Sequence, residues 1–185
     1  SPVCSPSRAS LLTGRYPGNA GVRSILAGHR TATGLPPHVP TLATALKPLG
    51  YRTAMAGKWH LGMSEECRPH RHGFNRWFGF LAGCIDYYSH IFYWGMNQPG
   101  PGINPTHDLW EDGREVWENG RYLTEAITQK ALGYIRQAAA EGLAAIPIGT
   151  DTPVGVLLVC GSRQALSAVT ANPLHYARLG GLAGR

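Results

Sequence analysis

Aspartate and glutamate are missing from the first 64 residues of this chain, although the same stretch carries Arg8, Arg15, Arg23, Arg30, Lys47, Arg52 and Lys58. A segment of one sign attracts anions or serves as a solubilising basic face. No run of apolar residues is long enough to cross a membrane. The four cysteines, Cys4, Cys67, Cys84 and Cys160, form no CxxC pair and no zinc-like spacing. Cys67 and Cys84 are candidates for a disulfide in an oxidising compartment; the reading adopted is buried free thiols. No nucleic-acid module and no interleaving of basic and aromatic residues is present, so nucleic acid is not an expected partner. The chain begins with Ser1, not methionine, and reads as a fragment. The missing leader then says nothing of location. Lysine is absent after residue 137, and Tyr176 is the lone aromatic there.

What is present is enough for one globular domain: 185 residues, 43% hydrophobic, 15% charged, with a net charge of +6. Cys4-Ser5-Pro6-Ser7-Arg8-Ala9-Ser10-Leu11-Leu12-Thr13-Gly14 reads as a helix with Cys4 at its entry. Pro6 suits a first turn, Ser5 and Ser7 can cap free N–H groups, and Gly14 is a stop. A helix start attracts anions and lowers the pKa of a cysteine placed there. Arg8, one turn on, faces the same side. The pattern suits a nucleophile that acts on an oxyanion.

Residues 22–40 read as a loop, and Thr41 caps a helix through Leu42, Ala45, Leu46 and Leu49, with Pro48 arguing for an early stop. A short strand over 51–56 runs into Gly57-Lys58-Trp59-His60-Leu61-Gly62. Helix, glycine, strand and polar turn make an α/β rhythm, in which ligands bind beyond the carboxyl ends of strands. Lys58 offers a point charge for an anionic ester, and His60 an acid or hydrogen-bond donor near neutral pH. His70 and His72 suggest a metal pair but read as exposed loop residues, within a connection over 63–80.

Asp86-Tyr87-Tyr88-Ser89-His90 is a tyrosine-rich stretch, residues 91–107 a loop able to wall a pocket, and Asp112-Gly113 a tight hairpin. Glu111, Asp112, Glu115 and Glu118 surround turns and read as solvated. Residues 122–137 give the clearest helix, with a stripe of Leu123, Ile127, Ala131, Tyr134 and Ile135. Beyond it, residues 153–160 read as a buried strand. The organisation expected is one segment over 1–137 and a tail of shifted composition over 138–185.

Cys-x-Pro-Ser-Arg-x-x-x-Leu-x-Gly over Cys4–Gly14 resembles the signature of type I sulfatases. Gly50-Tyr51-Arg52-Thr53 with Gly57-Lys58-Trp59-His60-Leu61-Gly62 resembles their second signature, and Asp86–His90 resembles a stretch in arylsulfatase B-like members. The resemblance extends to about residue 137. It implies a partial alkaline-phosphatase-like α/β/α sandwich with a mixed sheet, and hydrolysis of sulfate esters. It implies that Cys4 is oxidised to formylglycine by a formylglycine-generating or anaerobic sulfatase-maturating enzyme. The hydrated aldehyde then attacks sulfur and later expels sulfate.

By the same resemblance Arg8 steadies the modified residue, Lys58 and His60 hold sulfate and assist the leaving group, and Ser89 and His90 lie near the substrate, for which the resemblance suggests a sulfated carbohydrate. Calcium is the implied cation, with the modified Cys4 as the one ligand that carries over. The other ligands are expected before Ser1 and beyond the resemblance, so the isolated chain is expected to turn over little substrate. A periplasmic, secreted or lysosomal location is implied. The alternatives are a phosphate or phosphonate esterase of the same superfamily and a non-catalytic remnant.

Overall fold

The computed structural model describes residues 3–92, 105–149 and 155–162. Helix α1 spans Cys4–Thr13, α2 Leu42–Leu46 and α3 Leu123–Ala140. The strands are β1 Arg52–Lys58, β2 Arg76–Phe80, β3 Ile91–Phe92, β4 Thr106–His107, β5 Trp110–Glu111, β6 Arg114–Glu115, β7 Leu143–Gly149 and β8 Gly155–Ser162. Six of them form one sheet in the order β6-β5-β2-β1-β8-β7, and β3 pairs with β4 separately. β1 and β2 run parallel, whereas β8 lies antiparallel to β1 and β5 antiparallel to β2. The sheet is therefore mixed, as expected.

Alternation along β1 and β2 builds two cores from one pair of strands. Met55 and Trp77 face a cluster with Ala9 of α1, Ala43 of α2, Trp59, Leu61 and Leu35. Ala54, Ala56, Phe78 and Phe80 face the other way, onto Leu123, Ala126, Ile127, Ala131 and Tyr134 of α3. A strand side chain changes face at every residue, so apolar positions in succession place the sheet between two layers. The result is an α/β/α arrangement, with α1 and α2 on one side and α3 on the other.

Local signals account for much of this. Gly14 closes α1 in a left-handed conformation, its N–H donating to the Ser10 carbonyl. Thr41 and Thr44 form a reciprocal cap on α2. The helix gives way at Leu46 to a 3-10 turn over Lys47–Leu49, as Pro48 predicts. Asp112 and Gly113 both adopt positive φ and turn β5 into β6.

Several expectations are corrected. Residues 63–80 are more than a connection, because Arg76–Phe80 is a sheet strand. His72 is fully buried, its ring 5.6 Å from that of Trp59, whereas His70 is exposed. Cys84 is an exposed free thiol, not a buried one, while Cys67 is buried and free. The acids around the turns are ion-paired: Glu111 with Lys130 at 2.6 Å, Asp112 with Arg76 at 2.6 Å, Glu115 with Arg30 at 2.7 Å, and Glu118 with Arg121. α3 continues past residue 137 to Ala140, and β8 pairs with β1 from Arg52↔Cys160 to Gly57↔Gly155. Most of the expected pocket-walling loop, residues 93–104, and the tail from residue 163 lie outside the described residues. No described helix is long and apolar enough to cross a membrane.

Candidate active site

Cys4 is the first residue of α1 and is half-buried. Val3 before it is extended, and no side chain caps the helix. Ser5 was expected as a cap, but it is fully enclosed and its Oγ accepts the Leu26 N–H at 3.1 Å. The helix start is thereby fastened to the loop that follows it.

Arg8, one turn along, carries α1 onto the end of β1: its Nη1 donates to the Lys58 carbonyl at 2.6 Å. Lys58 is the last residue of that strand, and its ammonium interacts electrostatically with the Cys4 side chain. The sulfur of Cys4 here stands where the resemblance places an aldehyde oxygen. Burial lowers the Lys58 pKa most, the thiol opposes the shift, and Arg8 adds to it. Burial also lowers the Arg8 guanidinium. Among the described residues neither cation has a carboxylate partner. Two half-buried cations at a helix start, with no carboxylate partner among the described residues, are an arrangement suited to an anion.

His60 lies two residues past β1 with φ at 54°, in the left-handed region that histidine, like asparagine and aspartate, enters more often than other side chains. Its backbone N–H donates to the Leu81 carbonyl at 3.1 Å, and its Nε2–H donates to the Leu26 carbonyl at 3.1 Å. Leu26 therefore joins the two halves of the site, with Ser5 on its N–H and His60 on its carbonyl. Burial, then Lys58 and Arg8, push His60 down to about 4. At neutral pH the ring is uncharged, with its proton on Nε2 and a lone pair on the buried, unbonded Nδ1. The sequence offers His60 as an acid or hydrogen-bond donor; here its one ring N–H donates to Leu26.

Ser89 and His90 are not brought to this cluster by any described contact. The Ser89 hydroxyl donates to Asp86 at 2.8 Å. His90 is fully enclosed, its Nε2–H donating to the Arg121 carbonyl at 3.0 Å and its ring 6.3 Å from that of His107. With no surface exposed, it cannot touch a substrate in this arrangement. Cys84, for which no motif gave a signal, does reach the site's field: Lys58 lowers its pKa and Cys4 raises it, while burial raises it most. Gly83 lies against the His60 ring and was equally silent in the sequence.

The residues present do not fit a divalent cation. No three histidine, cysteine or carboxylate groups converge among the described residues. The neighbours of Cys4 are cations, and the buried carboxylate of Asp108 is taken up by N–H donors.

A family model described as Sulfatase matches residues 1–144. Arylsulfatase J of Mus musculus is 37% identical over 132 residues, which cover 70% of this chain and 21% of that protein. N-acetylgalactosamine-6-sulfatase of Homo sapiens is 33% identical over 153 residues, covering 75% and 28%. Steryl-sulfatase of Rattus norvegicus is 44% identical over 89 residues, covering 42% and 15%. Among solved structures, Ps i-CgsB in complex with k-i-k-neocarrahexaose superposes with a TM-score of 0.62 at 30% identity, over 74% of this chain and 31% of that one. The chain thus spans between 15% and 28% of the length of these curated relatives.

Proposed function

The chain belongs to the sulfatase family, and from that premise we propose that Cys4, Arg8, Lys58 and His60 form the reacting end of a sulfuric ester hydrolase. The carrying observation is the junction of α1 with β1. Arg8 bonds the Lys58 carbonyl, and the Lys58 ammonium meets the Cys4 side chain. One arrangement therefore holds a nucleophile position and two uncompensated cations together.

Converted to formylglycine, residue 4 would supply an oxygen nucleophile for the sulfur of the ester and would be regenerated after sulfate leaves. The site fits such a group, because an oxygen-bearing residue there faces hydrogen-bond donors and positive charge. Lys58 binds a sulfate oxygen and offsets the charge that develops on it. Arg8 fixes the Lys58 backbone while adding a second charge. His60, neutral and tethered through Nε2 to the Leu26 carbonyl, packs beside these two cations beyond the end of β1.

The substrate inferred is a sulfated carbohydrate. Support comes from the neighbour solved with k-i-k-neocarrahexaose and from a relative named N-acetylgalactosamine-6-sulfatase. A maturating enzyme that oxidises Cys4 is the corresponding partner.

The test is the mass of the peptide from Ser1 to Arg8 after expression beside a formylglycine-generating enzyme. The expected product has lost the Cys4 sulfur and reacts with a hydrazide. An intact thiol, with a control sulfatase peptide converted in the same cells, would overturn the assignment of Cys4.

A further inference from the structure

Asp108 is the one fully buried acid among the described residues. One carboxylate oxygen accepts the Trp110 Nε1–H at 2.7 Å. The other accepts the Ala82 N–H at 2.7 Å and the Leu81 N–H at 3.0 Å. No cation bonds it; Arg30 acts only from a distance, its guanidinium engaged by Glu115 and the His107 carbonyl. A carboxylate buried without a counter-ion is costly, and here burial raises its pKa to about 6.

What the carboxylate grips lies directly under His60. Leu81 and Ala82 follow the last residue of β2. The Leu81 carbonyl accepts the His60 N–H. Gly83 comes next, so close that a Cβ on it would stand 2.8 Å from Cε1 and 3.0 Å from Nε2 of the imidazole. The two peptides held by Asp108 are therefore followed on one side by a bond to the His60 backbone and on the other by contact with its ring.

We propose that Asp108 is a positioning residue for His60, clamping the exit of β2 so that the imidazole is held against Gly83 with Nε2 on the Leu26 carbonyl. The proposal rests on His60 belonging to the sulfate-cleaving site. The chemistry of the clamp demands a carboxylate. Every partner is a donor, so an amide would satisfy one side and point its own N–H groups at the other. Asparagine should keep the volume and lose the grip.

The experiment follows the His60 imidazole by 15N NMR in the wild-type chain and in Asp108→Asn, with circular dichroism confirming the fold and inorganic sulfate as the ligand probe. In the variant the Nε2–H should exchange faster by at least about tenfold, and sulfate affinity should fall by a similar factor, as when a buried donor loses its acceptor. A second measurement needs no substitution. Between pH 5 and 7.5 the wild-type His60 signal should shift with a midpoint near that of Asp108, about 6, rather than near its own, about 4. His90, whose carbonyl accepts the Asp108 N–H, and the adjacent His107 are followed in the same spectra as controls. A His60 signal unmoved in both measurements overturns the proposal. If His60 responds but the wild-type chain binds no sulfate, the clamp is upheld and the sulfate reading alone falls.

Discussion

Arg8 and Lys58 carry like charges at one site, yet they should respond differently to removal. Arg8 is a structural donor as well as a charge, because its Nη1 satisfies the Lys58 carbonyl. The Lys58 ammonium has no carboxylate partner among the described residues and interacts with the Cys4 side chain. Replacing Lys58 with methionine keeps the stem and removes a half-buried charge. Thermal stability in sulfate-free buffer should therefore stay level or rise. Replacing Arg8 with methionine leaves a carbonyl without its donor and should lower stability by about 1–3 kcal/mol. Both variants should lose the stabilisation that sulfate gives the wild-type chain. A thermal-shift titration with sodium sulfate against sodium chloride reads all three outcomes, and a sulfate response retained in Lys58→Met would remove the lysine from the anion site. These residues were legible in the sequence because each sits in a short local motif. Asp108 was not, since its partners Leu81 and Ala82 are 27 and 26 residues away and no spacing announces them. His60 was half legible: its place was clear, but its neutral state depends on Leu26 and on enclosure by segments distant in sequence.

At the scale of elements, the parallel pair β1 and β2 positions Lys58 and His60, and α1 docks Cys4 and Arg8 against its end. Gly57 and Gly79 lie opposite one another in it. A Cβ on Gly79 would fall 1.9 Å from the Gly57 carbonyl oxygen, and its φ of 145° is itself strained for a side chain. Gly79→Ala must push the strands apart one residue before Lys58, and should cost more than about 3 kcal/mol or prevent folding. Gly133, in the middle of α3 with nothing within 4 Å of its would-be Cβ, is the opposite case. There alanine should raise stability by about 1 kcal/mol through helix propensity. Urea denaturation of both variants checks the pair, and a tolerated Gly79→Ala would refute the close approach. α1, α3 and the β5–β6 hairpin could be read in advance because helical period, proline placement and an Asp-Gly turn are local. β2 could not: Arg76-Trp77-Phe78-Gly79-Phe80 is an aromatic run broken by glycine. What makes it a strand is the register with β1, from Ala54↔Arg76 to Lys58↔Phe80.

The whole molecule records its buried titratable groups in one observable, stability against pH. His60 and His72 both have pKa values pushed down to about 4, chiefly by burial. Between about 6.5 and 4 the unfolded chain binds protons at both positions that the folded chain refuses. Acid therefore favours unfolding across that window. At about 1.4 kcal/mol per pH unit, each histidine can withdraw up to about 3 kcal/mol. Asp108 works in the other direction. Its pKa is raised to about 6, so on acidification the folded chain takes up a proton before the unfolded one does. That gain is of the size of one histidine, which leaves a net loss of about one histidine's worth by pH 4. Urea midpoints should fall steadily from pH 7 to 4.5. His72→Phe should flatten the fall, because the ring packed on Trp59 then has no proton to accept. The same variant should leave sulfate binding intact, since His72 sits in the core below α2, its carbonyl bonded to the Thr41 hydroxyl at 2.7 Å. A wild-type profile that is level or rises toward acid would mean that Asp108 outweighs both rings. An unchanged slope in the variant would mean that His72 is protonated in the folded chain.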